Sequence, residues 1–346
     1  MSTSSVPPTD SSGLIAPPPR KGRRTALIVG AVVAAILAGV GVAWAVSSAN
    51  QGAANQGTSN QGSANQTDGN ANADEITSGK GSASDPVKIG VVGKSDSYWA
   101  DFEKATKDAG IHVKLVDFTD YAQVNPALTE KELDLNQFQH LVYLAQYNET
   151  AGADLTPIGA TATYPLALYS SKYDAVADIP AGATIAVPND SSNLARSLLV
   201  LQSAKLITLK DGGSIFSTLN DIDAAQSKVT VTALEAALTP SSLPDVAAAI
   251  INNDFVADAG LQFSDAIATD DATDPKALPY VNVFVARAAD ADNELFQRLV
   301  SIYQSDAAVQ QGVQKVSGNT AVLLKTPAAD LVASLAEVQS DIRKQG

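Results

Sequence analysis

The sequence has no cysteine and only two histidines in 346 residues. Absence of cysteine excludes disulfides, thiolate metal sites, cysteine nucleophiles and lipid attachment through a cysteine. His112 and His140 stand far apart, and neither H-E-x-x-H nor G-x-S-x-G occurs, so the zinc-protease and serine-hydrolase signatures are missing. "GVVGKS" (90–95) looks like a phosphate-binding loop, but Lys88 stands where its first glycine is required. Without that glycine the backbone amides cannot wrap a phosphate. Basic residues are also scarce: 23 Lys and Arg face 37 Asp and Glu, for a net charge of −14. The split is uneven, with four basic residues and one acid in residues 1–24 and 19 against 36 in the remainder. So acidic a body is a poor match for nucleic acid, whose phosphates need Lys and Arg. Nothing in these patterns marks an enzyme or a cofactor site.

What is present begins with a long apolar run. "TALIVGAVVAAILAGVGVAWAV" (25–46) carries no charge and is long enough to cross a hydrocarbon core of roughly 30 Å as a helix. Arg20, Lys21, Arg23 and Arg24 precede it, and the next acid is Asp68, so residues 1–24 read as a cytoplasmic disordered tail with the remainder exported. Ala43-Trp44-Ala45 also fits a small-x-small cleavage site, which would make the product secreted; the length of the run favours an uncleaved anchor. After it, Asn-Gln recurs at 50, 55, 60 and 65 with only Gly, Ala, Ser and Thr between. Such a stretch cannot bury enough surface to offset its ordering entropy. Residues 47–85 are therefore expected to be a flexible linker, spanning roughly 35 Å r.m.s. as a coil.

From Pro86 onward, β-rich runs alternate with amphipathic stretches. "VKIGVVG" and "IHVKLVDF" read as strands on either side of the helix "SYWADFEKATKDAG"; "ATIAVPN", "KVTVTALE", "VAAAIIN" and "YVNVFVAR" continue the series. This alternation predicts an α/β fold with largely parallel sheets, and roughly 260 residues suit two lobes. Ligands in such sheets sit beyond the carboxyl ends of strands. Four clusters there deserve attention: Tyr121 in "FTDYAQVN"; Phe138 and His140 in "NQFQHLVY"; Asn193 and Arg196 in "VPNDSSNLARS"; and the strand-end amides Asn252 and Asn282. Core packing, surface pairing and turn formation are the ordinary uses of such residues. Together, an aromatic wall, an arginine beside a helix N-terminus and several amides suit a small zwitterion.

"FTDYAQVNPAL", "NQFQHLVYL", "TYPLALYS", "VPNDSSNLARSLLVLQ" and "PYVNVFVAR" resemble, in order and register, the methionine-binding (MetQ/NlpA-type) substrate-binding proteins of ABC importers. The resemblance runs from about Lys88 to about Lys325. It implies a two-lobed, periplasmic-binding-protein-like (type II) fold that closes on an amino acid and delivers it to a permease driven by a cytoplasmic ATPase. Lobe 1 would comprise 86–165 and 280–325, and lobe 2 would comprise 166–279. By the same resemblance, Tyr121, Phe138 and His140 flank the methionine side chain, Asn193 and Arg196 hold the carboxylate end, and Asn252 and Asn282 contact the amino-acid backbone. L-methionine is the expected ligand. Another small amino acid, D-methionine, a short peptide, or an adhesin or sensor role for the same fold are the alternatives.

Three features depart from the family pattern. Its members are commonly lipoproteins held through an N-terminal cysteine, whereas Thr25–Val46 would serve as the anchor here. "IINNDF" differs from the usual residues after the first Asn. Residues 326–346 extend past the usual end as an amphipathic helix, with Leu331, Leu335, Val338 and Ile342 on one face; it packs on its own lobe or meets a partner.

Overall fold

The computed structural model describes residues 75–345. The expected tail (1–24), anchor (25–46) and linker as far as residue 74 lie outside the described residues. Among the described residues no helix is long and apolar enough to cross a membrane.

Aliphatic runs become strands and the amphipathic stretches between them become helices. The chain lays down β1 (Val87–Val92), α1 (Ser97–Asp108), β2 (Val113–Phe118), α2 (Val124–Thr129), β3 (Leu135–His140), α3 (Leu141–Ala151), β4 (Leu155–Ala160) and the short β5 (Ala162–Thr163). It continues with β6 (Ala167–Tyr169), β7 (Thr184–Pro188), α4 (Ser191–Ser203), β8 (Thr230–Leu234), α5 (Thr239–Ser242), β9 (Ala248–Ile251) and β10 (Ala268–Thr269). The last part holds β11 (Asn282–Arg287), α6 (Glu294–Ser305), α7 (Ala307–Val316), β12 (Val322–Leu323) and α8 (Ala328–Gln345).

Two five-stranded sheets result, ordered β2-β1-β3-β11-β4 and β10-β6-β9-β7-β8. Each is the centre of one lobe. The chain passes from the first sheet to the second between Thr163 and Ala167, and returns between Thr269 and Asn282. The expectation of largely parallel sheets needs correction. β1 is parallel to β2 and β3, and β7 to β8 and β9, but β11 is antiparallel to β3 and β4, and β6 to β9 and β10. The reversed strands, β6 and β11, are those that enter a sheet directly from the other lobe. Periodicity reports which face a strand buries, not the direction from which it arrives.

The expected linker also ends earlier than residue 85. Ile76 N donates to Gly110 O (2.9 Å), His112 N to Gly81 O (2.7 Å) and Gly81 N to Asp85 O (2.8 Å), while Lys80 lies 3.2 Å from Asp134. Residues 76–85 therefore belong to the first lobe. A turn with positive φ at Gly79 and Gly81 folds this small-residue stretch onto the loop before β2.

The first lobe's core is aromatic: Trp99, Phe102, Phe284 and Tyr303 are nearly or fully buried and pack in tilted or edge-on pairs. The second lobe buries an aliphatic cluster including Ile185, Leu198, Leu201 and Ile250. A third cluster crosses between lobes, joining Tyr121 and Phe138 to Ile251 and Phe255. β3 is buried throughout although it reads LNQFQH. Its amides are satisfied by one another and by α2: Asn125 Nδ2 donates to Gln139 Oε1 (2.7 Å), and Asn136 Nδ2 to Asn125 Oδ1 (2.9 Å). That network fixes the strand whose end carries Phe138 and His140.

The C-terminal helix packs back on the first lobe. α8 lies against α3 and β4, burying Leu331, Leu335 and Val338. Gln339 donates to Glu149 (3.0 Å), which also pairs with Arg343. Leu335→Ala is expected to lower stability by about 2–4 kcal/mol in a urea titration of the full chain. A loss below about 0.5 kcal/mol would mean that α8 is not part of the cooperative core.

Candidate functional site

The cleft between the lobes gathers all seven residues singled out in the sequence. Tyr121, Phe138, His140, Asn193, Arg196, Asn252 and Asn282 line a single cavity, joined by Tyr143, Tyr164, Asn253, Asp254 and Tyr280 among others. Its volume is about 30 Å³. A second cavity of about 290 Å³ is larger and mostly apolar. Convergent polar groups, rather than size, single out the first.

Each residue reaches the cleft through its place in the fold. Tyr121 opens a short 3-10 turn after β2, set by Asp120, whose side chain accepts from Ala122 N. His140 ends β3 and caps α3, its Nδ1 accepting from Tyr143 N at 3.2 Å. With Nδ1 an acceptor, the proton belongs on Nε2, which donates to Asn193 Oδ1 at 3.3 Å across the cleft. Burial, and then the charge of Arg196, lower the His140 pKa to about 3, so the ring is neutral. Phe138 lies 5.7 Å from the Tyr121 ring, and Phe255 of the other lobe 5.2 Å from it.

The start of α4 was expected to offer free amides to an anion, and the structure corrects this. Asp190 caps the helix itself: its Oδ1 accepts from Asn193 N (2.9 Å) and Ser192 Oγ (2.9 Å). A carboxylate of the protein already sits at this helix end, which leaves Arg196 as the cation of the cleft. Arg196 is 6 % exposed. Nε donates to Asp270 Oδ2 (2.7 Å), Nη2 to Tyr164 O (2.8 Å), and the guanidinium lies 4.4 Å from the Tyr280 ring centroid. Neither hydrogen bond uses Nη1.

Asn252 follows β9. Its Nδ2 donates to Asn193 Oδ1 (3.1 Å), while its own Oδ1 is buried with no hydrogen-bond partner. Asn282 begins β11, where its backbone carbonyl accepts from Thr161 N and Oγ1, leaving the amide side chain facing the cavity lining. Such a site can hold an anion at Arg196, a cation at the amide oxygens and an apolar body against the rings.

Asp254 was missed in the sequence. It accepts from Tyr121 Oη at 2.6 Å, across the cleft, and from Asn253 Nδ2 at 2.8 Å. Burial foremost, with the nearby Asp96 carboxylate adding to it, pushes its pKa up to about 7. In "INNDF" it reads as an ordinary surface acid, because only the packing of one lobe against the other brings Tyr121 to it. Tyr164, Asp270 and Tyr280 were missed likewise; they flank or lie within the crossings, whose path pattern alone does not give.

The family model of the NlpA lipoproteins matches residues 87–323. This chain belongs to the NlpA lipoprotein family. It is 40% identical over 215 residues to a probable D-methionine-binding lipoprotein MetQ of Pasteurella multocida, covering 62% of this chain and 76% of that one. It is 38% identical over 241 residues to the D-methionine-binding lipoprotein MetQ of Escherichia coli K12, covering 68% and 87%. The structure of a nutrient-binding protein from Burkholderia cenocepacia bound to methionine superposes with a TM-score of 0.64 at 37% identity, covering 68% of this chain and 99% of that one. The α/β two-lobed fold is thus that of the NlpA family's solute-binding proteins. The sequence of this NlpA-family chain contains no cysteine.

The cleft carboxylate has a consequence for pH. Folded Asp254 keeps its proton to about pH 7, whereas a solvated aspartate releases it near 4. The folded protein therefore binds the extra proton between those values, and the stability this provides is lost as pH rises from about 4 to about 7. Asp254→Asn should gain on the wild type in denaturant titrations by roughly 2–3 kcal/mol between pH 5 and pH 8. A difference between the two proteins that does not change with pH would rule out a buried proton there.

Proposed function

We propose that this protein captures methionine, the L form foremost, between its two lobes outside the cytoplasm and hands it to an ABC importer. One observation carries the reading: beside the buried Arg196, Asn252 Oδ1 is buried with no donor from the protein. An ammonium group supplies that donor, and the carboxylate of the same zwitterion matches the arginine. Tyr121, Phe138 and the neutral His140 would receive the thioether, which is polarisable and packs well against aromatic faces. Asn193 would hold the carboxylate end together with Arg196, and Asn282 would assist Asn252 at the backbone. The related proteins named for D-methionine and the methionine-bound neighbour support methionine as the ligand; the L form and the residue roles are this proposal's own.

Attachment to the membrane is proposed to run through Thr25–Val46 rather than through a lipid, because the chain has no cysteine to carry one. The Asn/Gln-rich linker would then let the lobes reach a permease while remaining tethered. Deleting 25–46 should move the protein from an alkaline-washed membrane pellet to the soluble fraction. A wild-type protein already soluble after that wash would show cleavage near Ala45 instead.

The test of the ligand is calorimetric titration of the detergent-solubilised full chain, after exhaustive dialysis, with L-methionine, D-methionine and the other amino acids. Methionine should bind with high affinity, and Asn252→Ala should weaken it by about 10–100-fold, the loss of one hydrogen bond to a charged group. Binding of another amino acid or of a peptide in preference, or no heat from a folded protein, would overturn the assignment.

A further inference from the structure

The ring of Tyr121 walls one end of the cleft, and its hydroxyl is the part that the proposed function leaves unused. Tyr121 opens the 3-10 turn Tyr121–Gln123 on the first lobe. It is 7 % exposed, and its ring lies 5.7 Å from Phe138 of its own lobe and 5.2 Å from Phe255 of the other. A hydroxyl in such surroundings needs a partner. It has one in Asp254 Oδ2, 2.6 Å away on the opposite lobe.

The second lobe delivers that carboxyl by local geometry. β9 ends at Ile251, and the 3-10 turn Asn253–Phe255 follows, with Phe255 N donating to Asn252 O at 3.0 Å. One short turn thus presents Asn252 and Asp254 to the cavity and Phe255 to the Tyr121 ring. Asn253 Nδ2 donates to Asp254 Oδ1 at 2.8 Å, so both carboxyl oxygens are engaged and the side chain has little freedom to swing. Neither bond comes from a basic residue, and Asp254 keeps its proton to about pH 7. The contact is therefore one of a hydroxyl with a neutral carboxyl, set by geometry rather than by charge.

We propose that Asp254 is the positioning residue for the side-chain end of the cleft: by holding Tyr121 from the opposite lobe it fixes the aromatic wall that the ligand's side chain lies against, and so the length of side chain the cleft takes. This role rests on the proposed capture of methionine, in which Tyr121 and Phe138 receive the thioether. With its hydroxyl tied, the Tyr121 ring cannot turn away from a longer side chain without breaking a buried hydrogen bond. A ring held by packing alone resists that movement less.

L-Ethionine, one methylene longer than L-methionine, is the probe. Both would be titrated calorimetrically at pH 6 into the solubilised full chain as wild type, Tyr121→Phe, Asp254→Ala, the double variant and Asp254→Asn. One methylene in a close-fitting apolar pocket is worth roughly tenfold or more, so the wild type should prefer methionine by that factor. Tyr121→Phe and Asp254→Ala should each reduce the preference by about threefold to fivefold, the effect of one lost hydrogen bond. The double variant should lose no more than either, because both remove the same contact. Asp254→Asn keeps an oxygen for Tyr121 and should restore the preference. A merely destabilised fold would weaken both ligands equally and leave their ratio unchanged. An unchanged ratio in folded Tyr121→Phe and Asp254→Ala, or additive losses in the double variant, would overturn the role. Should methionine not bind, the reading of the ligand fails, and urea titrations of the same variants decide the interlobe contact separately: coupling of about fivefold in the unfolding equilibrium supports it, and additive changes overturn it.

Discussion

Arg196 is a cation buried where the two lobes meet, and the rest of the cleft is arranged around the need to satisfy it. An isolated guanidinium removed from water is very costly, and its neighbours offset that cost from three directions. The first crossing presents Tyr164 O and the second presents Asp270 and the face of Tyr280. Asp270 in turn accepts from Leu166 N at 2.8 Å, tying one crossing to the other. A buried pair of this sort is weak evidence of stability. Its value here is geometric, for it holds helix α4 against both connecting strands and brings one positive charge to the hinge side of the cleft.

The polar links between the lobes follow from that anchoring. His140 and Asn193, and Tyr121 and Asp254, face each other across the cleft, and Ser191 Oγ donates to Gln146 Oε1 (2.7 Å) between α4 and α3. Few of these contacts bury much apolar surface, and each can be exchanged for water when the lobes separate. The aromatic contacts at Tyr121 behave differently, since opening would expose Phe255 and Phe138 together. Under the proposed function, a ligand's differential affinity for closed and open lobes would set the balance across this interface.

Much of the architecture was legible because local pattern determines it. Strand β1, helix α1 and helix α4 with its capping run announce themselves by periodicity, and residues just past strand ends must sit near the cleft in any such sheet. That rule alone brings Tyr121, His140 and Asn252 to the same place. Illegible were the features that depend on one segment returning past another. Asp270 lies in "TDDATDPKALPY", where three acids look like solvated loop chemistry until the crossing passes α4. Asp254 looks no different from Asp258 until Tyr121 of the other lobe reaches it. Asp190 misled in the opposite sense: a helix N-terminus reads as an anion site, yet the preceding residue was itself an acid and filled it. The direction of β6 and β11 was lost for the same non-local reason.

Under the proposed function, selectivity for charge in the cleft would rest on what the protein leaves unmet rather than on what it pairs. Most polar atoms around the cavity already have partners within the chain: Asn193 bonds to Asp190, His140 and Asn252, and Asp254 to Tyr121 and Asn253. Asn252 Oδ1 and Tyr280 Oη are the buried exceptions among the lining residues. Each unmet group costs about 1–3 kcal/mol when water cannot reach it. Under the proposed function, a donor from the ligand would meet these atoms, and an ammonium group answers Asn252 Oδ1 better than an apolar group does. An apolar compound of the same size would fill the aromatic end and leave that cost standing. Under the proposed function, shape would admit a ligand to this cleft, and donors to these two oxygens would favour lobes closed on it.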